Sequence, residues 1–217
     1  MKIPRIFIPN KDLEETIETL LLEKTDENNY DKEALSRLLK SFGTFTKQLE
    51  KENIRPYLDE IYKIGERLSD RMPHFTKDDL EELSKRLASK DNLNLYSGFY
   101  LSALINKIIT ENDIITLNIN LELYGIGAYQ KKGTTTVKGD LGYFAGHFLE
   151  GATLIVEGDT GNRTGNGMKI GRIVITGGTG EDTGDFMSGG EIIAYGKVKS
   201  VSSDCKGTIY SQGKKLR

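Results

Sequence analysis

The chain has 217 residues, among them 24 glycines, 4 prolines, a single cysteine and no tryptophan. Its 30 basic and 32 acidic side chains leave a net charge of −2, so no global field draws it to nucleic acid or an anionic membrane. A hydrophobic content of 37% is enough for a core, scarce proline excludes collagen, and one cysteine excludes an internal disulfide or a multi-cysteine metal site. Only Gly43, Gly65 and Gly98 precede residue 113, and the other 21 glycines follow it. That split predicts a helical domain over 1–112 and a glycine-rich domain over 113–217.

In the first domain, Leu13, Ile17, Leu20 and Leu21 take helical spacing over 11–24. A second helix is predicted over about 31–52, where Leu35, Leu38, Phe42, Phe45 and Leu49 recur at three- and four-residue steps. Pro56 suits the first turn of a third helix, because its missing amide hydrogen has no partner there. Thr76 and Asp79 resemble a capping box ahead of Leu80, Leu83 and Leu87. The fifth helix, about 95–110, is apolar on nearly every side and is therefore expected to be wrapped by other elements. An all-α bundle accounts for these stripes as core. The apolar stretch near residue 100 is broken by Ser102, Asn106 and Lys107, and the run after Met1 is too short for a signal peptide. A soluble, cytoplasmic protein is expected.

The second domain repeats. Segments starting at Val137, Val156 and Ile175 superimpose without a gap at a period of 19 residues. Gly139, Gly158, Gly177 and Gly196 share one column, Gly142, Gly161 and Gly180 a second, and Gly146, Gly165 and Gly184 a third. Apolar columns run beside them: Leu149, Met168 and Met187; Leu154, Ile173 and Ile192; Val156, Ile175 and Ala194. Intervening polar positions such as Thr153, Arg172 and Glu191 complete the period-two pattern of a strand with one face inward. A fixed period of this length predicts a solenoid whose glycines occupy corners, that is, a short parallel β-helix. Its N-terminal end is expected to be covered by the fifth helix, and its C-terminal end to be blunted by Lys214, Lys215 and Arg217.

The string from Gly158 to Gly177, with glycines, methionine and alternating isoleucine at fixed offsets, resembles the GXGXG-motif domain found in the large chain of glutamate synthase and in one of the chains of formylmethanofuran dehydrogenase. The resemblance covers about 120–213. It implies a right-handed β-helix that stands beside catalytic centres and carries no catalytic residue of its own.

Candidate sites are few. His147, Asn166 and Asp185 align in one polar column after a glycine corner, which reads either as a surface binding strip or as solvent-exposed corner decoration. The segment Gly177 to Asp182 matches the start of a calcium-binding repeat only once, and the coil register places Arg163 under Asp182 as an ion pair. His74 reads as a loop residue and Cys205 as an idle thiol, with no catalytic, metal or cofactor-binding residue predicted. Gly125 to Gly127 and Gly165 to Gly167 lack the following helix that a phosphate cradle needs. The expectation is a non-catalytic scaffold that binds a protein partner or a second copy of itself. The competing expectation is a component of a multi-subunit enzyme of the two kinds named above, with the active site on another chain.

Overall fold

A computed structural model describes residues 31–51, 57–88, 95–119 and 121–217. The helix predicted over 11–24 and the role given to Pro56 lie outside the described residues. Four helices are described: α1 (Lys32–Lys51), α2 (Leu58–Asp70), α3 (Lys77–Ala88) and α4 (Ser97–Ile108). Seven strands follow: β1 (Ile114–Asn118), β2 (Thr134–Lys138), β3 (Glu150–Glu157), β4 (Ile170–Ile175), β5 (Glu191–Ala194), β6 (Thr208–Ser211) and β7 (Lys214–Lys215).

The start of α3 follows from its sequence. The Asp79 amide donates to Thr76 Oγ1 at 3.3 Å while Asp79 Oδ2 accepts from the Thr76 amide at 2.8 Å, so two amides without helical partners are satisfied. Asp79 Oδ1 also accepts from the amide of Asp31 at 2.8 Å, which fixes the entry to α1 against α3. Leu38, Leu39, Phe42 and Phe45 of α1 are buried with Leu80, Leu83 and Leu87 of α3 and with Tyr100, whose ring lies 5.2 Å from that of Phe45.

The strands form one sheet in chain order, parallel from β1 to β6, with β7 returning antiparallel. Thr134, Thr153, Arg172 and Glu191 lie opposite one another in successive strands, which reproduces the 19-residue register read from the glycines. The end coils depart from it: Ile114 faces Thr134, and Glu191 faces Thr208. The molecule thus carries a parallel β-solenoid of about five turns. Leu154, Ile173, Ile192 and Ile209 form one buried ladder inside it, and Val137, Val156, Ile175 and Ala194 another.

The glycine columns serve different purposes. Gly165 has φ 70°, and a Cβ there would lie 2.5 Å from Ile192 Cδ1, so both backbone angle and interior space demand glycine. Gly158 has an ordinary φ; what excludes a side chain is the Gly139 carbonyl of the coil before, which a Cβ would approach to 2.6 Å.

Both ends of the tube are covered. At the open edge of β1, the Thr116 and Asn118 amides donate to Glu81 Oε1 and Ser84 Oγ of α3, each at 3.2 Å. Helix α4 covers the first turn beside it. The Tyr124 amide donates to Leu95 O at 2.6 Å, Asn106 Nδ2 donates to Ala128 O at 2.9 Å, and Gly98 lets the helix approach the Tyr124 carbonyl. The fifth predicted helix therefore covers the end of the tube, with α3 sharing the task. At the other end, β7 pairs Lys214 and Lys215 onto β6, and Arg217 Nε donates to Cys205 O at 2.7 Å. Among the described residues no helix is long and apolar enough to cross a membrane.

Candidate functional site

Each coil makes two consecutive tight turns after its second glycine column. In one coil the His147 amide donates to Phe144 O and the Leu149 amide to Gly146 O, and the next two coils repeat both bonds through Arg163 and Gly165, then Asp182 and Gly184. Positive φ falls on alternate residues, so Phe144, Phe148, Arg163, Asp182 and Phe186 adopt an angle usually left to glycine. Intercoil bonds offset the cost: Phe144 donates to Asn162 O, Arg163 to Glu181 O and Phe148 to Asn166 O. Those amides are consumed by the next coil, so the turns present no anion-binding nest built from them.

This local geometry turns the residue between two positive-φ positions inward. His147, Asn166 and Asp185 are 3%, 9% and 8% exposed, which corrects the expectation of a surface strip and equally that of exposed decoration. They form a hydrogen-bonded ladder. Asn166 Nδ2 donates to Asp185 Oδ2 at 3.1 Å and to Asp185 O at 3.2 Å, which aims its Oδ1 at His147 Nδ1, 2.8 Å away. The proton of neutral His147 is therefore on Nδ1. Ser202 Oγ continues the ladder to Asp185 Oδ1 at 3.2 Å.

A residue from the helical segment closes the other end of this ladder. Asp59 Oδ1 on α2 lies 3.5 Å from His147 Nε2 and accepts from the Tyr129 hydroxyl at 2.5 Å. Burial, the larger influence, pushes the His147 pKa down, while Asp59 and Asn166, both of which accept from the protonated imidazolium, act upward. The Tyr129 hydrogen bond holds the Asp59 carboxyl below its ordinary range, and burial with the adjacent carboxylate pushes the Tyr129 phenol up. Phe99, Phe144, Phe148 and Tyr129 all set their rings edge-on to the imidazole, with centroids 4.6 to 6.0 Å away. Rings therefore enclose the imidazole, and Asp59 covers its Nε2, leaving no space for a substrate against it. The ladder joins coils to one another and to α2.

The other candidates resolve into structural contacts. Arg163 Nε lies 3.9 Å from Asp182 and 3.6 Å from Asp185, so it stands between both carboxylates. Cys205 is buried with its Sγ 3.9 Å from Met187 Sδ, and burial raises its thiol pKa, which disfavours the reactive thiolate. His74 lines a shallow surface cavity of about 390 Å³ with Pro73, Phe75 and Lys107. Lys107 Nζ already donates to the Ser69 and Met72 carbonyls at the end of α2. Among the described residues no three His, Cys, Asp or Glu side chains come together to hold a metal ion.

The outer face of the sheet is a further surface among the described residues. Strand alternation points Thr116, Thr136, Ile155, Val174, Ile193 and Tyr210 outward in one continuous column, all half-buried by their neighbours. Beside it, Arg172 Nε and Glu191 Oε2 pair at 2.8 Å, and on the other flank Tyr195 is 66% exposed. Among the described elements, substantial helix-to-strand packing is confined to α3 on β1. The three comparisons with known proteins add no relative: the chain matches no family model, no curated protein and no solved structure.

Proposed function

We propose that this chain is a non-catalytic scaffold that binds protein through the outer face of its solenoid. The observation that carries the reading is the column Ile155, Val174, Ile193 and Tyr210, four apolar or aromatic side chains on an outward sheet face. Solvated strands alternate apolar with polar residues, so an outward apolar ladder marks a surface meant to be covered. Among the described residues α3, α4 and β7 lie over the two ends, and the sheet face is an extended repeat surface along the side of the tube. The helical segment is read as a bundle and the solenoid as right-handed, the hand parallel crossovers nearly always take.

A second reading rests on the glycine and methionine offsets from Gly158 to Gly177, which resemble the GXGXG-motif domain. In that reading the chain is a component of a glutamate-synthase-like or formylmethanofuran-dehydrogenase-like enzyme whose active site is on another chain. Affinity purification of the full chain from its native source separates the two. The scaffold reading expects a stoichiometric protein contact that Val174→Lys abolishes. A flavin, iron–sulfur or metallopterin protein in the complex supports the component reading. Turnover of a substrate by the purified chain alone would overturn both.

A further inference from the structure

We infer that the partner on the outer sheet face is a second copy of this chain, related by a two-fold axis that runs along the strands between β4 and β5. The inference rests on the scaffold reading and names its partner. It begins from the order of charges along the tube. In the flank column, the residues of successive strands are Thr134, Thr153, Arg172, Glu191 and Thr208, so one cation and one anion sit on either side of the β4–β5 midline.

Rotating a second sheet about an axis parallel to the strands reverses the order of strands and keeps positions along each strand. Strand β4 then faces the partner's β5, and β3 faces its β6. Arg172, which pairs with Glu191 of its own chain at 2.8 Å, also meets the second copy's Glu191, and Glu191 its Arg172, so the two ion pairs close into one four-charge cluster. The same rotation sets Val174 over Ile193 and Ile155 over Tyr210, while Thr153 meets Thr208. Apolar positions meet apolar ones and opposite charges meet, which a closed isologous interface requires of a single patch. Strands remain aligned, as stacked sheets prefer. At each end β2 faces the partner's β7, so Lys138 lies near Lys214 and Lys215 of the other copy, exposed like charges at the rim that water and salt screen.

The rotation overlaps β2 to β7 and leaves β1 outside, six rungs about 4.8 Å apart or about 25 Å, so the interface is at the small end for stable complexes. Its dissociation constant is accordingly expected in the micromolar range, and the dimer is to be sought by sedimentation equilibrium of the full chain up to about 100 µM.

The charge order makes the test specific. Arg172→Glu alone places acids on all four central positions of the homodimer, and Glu191→Arg alone places four bases there. Each variant is expected to weaken self-association at least tenfold. Mixed in equal amounts, they restore opposite charges in both contacts, and a heterodimer within about threefold of the wild-type affinity is expected. A monomeric wild type at 100 µM would overturn the inference and leave the face to a different protein, with the scaffold reading intact. Persistent homodimers of either swap, or a mixture that stays monomeric, would overturn it as well. Should a swap variant fail to fold, Val174→Lys substitutes for it, and an undiminished dimer of that variant has the same overturning force.

Discussion

Ser102 Oγ lies 2.9 Å from the amide nitrogen of Gly127 and accepts its hydrogen. One coil later the matching amide, of Gly146, donates to Ile126 O at 2.8 Å, and the next, of Gly165, donates to Ala145 O at 2.8 Å. A serine hydroxyl on α4 thus stands where a preceding coil would present a carbonyl. Its own proton is directed to the carbonyls of Gly125 and Gly98.

This substitution of helix for coil makes Ser102 a test of the end cover. Ser102→Ala leaves the Gly127 amide buried without an acceptor, a loss of about 1–3 kcal/mol. The expected result is a lower urea midpoint with an unchanged denaturant slope, since the fold is kept and only the contact is lost. Stability equal to the wild type would mean that water or a backbone shift satisfies that amide.

The capping box of α3 predicts a comparable effect at the other cover. Asp79→Ala removes the acceptor of both the Thr76 and the Asp31 amides, joining loss of a cap to loss of the tie between α1 and α3. A destabilisation of about 1–2 kcal/mol is expected in chemical denaturation. Asp78→Ala, one residue away and exposed, serves as the control and is expected to change little.

Acid sensitivity follows from His147. Its folded pKa is depressed by burial, so between that value and the unfolded value of about 6.5 the unfolded chain binds the extra proton. The contribution is present in full above pH ~6.5 and is lost as pH falls through the folded pKa. Urea midpoints measured from pH 8 to pH 5 are expected to drop on the acid side in the wild type and to drop less in His147→Gln. Asp59→Asn, which removes an interaction acting to raise the pKa, extends the acid loss to lower pH. Parallel curves for wild type and His147→Gln would assign the acid sensitivity to other groups.

What the sequence made legible, and what it concealed, both follow from the coil. The 19-residue register could be read because close coil-to-coil approach excludes side chains at Gly158 and Gly177 in every turn, which prints the period on the chain. The column of His147, Asn166 and Asp185 could be aligned by the same count. Its burial could not, because the period-two rule for strands fails in a segment where φ is positive at every second residue. Non-glycine residues such as Phe144 and Arg163 at those angles left no compositional trace. Asp59 was beyond reach for another reason: it is 88 residues from His147, and no local pattern links a helix surface to a coil interior. The end covers were partly legible, since a helix apolar on all sides must be surrounded, but the exchange of Ser102 for a coil carbonyl is visible only in three dimensions.

Two glycines with nearly the same backbone angle separate the roles that the glycine columns combine. Gly165 has φ 70° and would drive a Cβ to 2.5 Å from Ile192 Cδ1, inside a tube with no room to yield. Gly213 has φ 74°, and nothing lies within 4 Å of a Cβ built on it. Alanine at Gly213 therefore meets only the cost of a left-handed angle, about 1–2 kcal/mol. Alanine at Gly165 adds overpacking of about 1–3 kcal/mol to the same angle cost. The difference between the two variants' stabilities is the part of the cost that belongs to packing. Equal losses would mean that the Ile192 side chain moves aside freely and that the third glycine column is held in register by backbone angle alone. If the larger loss at Gly165 is relieved by Ile192→Val, which deletes the Cδ1 atom in the way, then the interior ladder and the glycine corner constrain each other coil by coil.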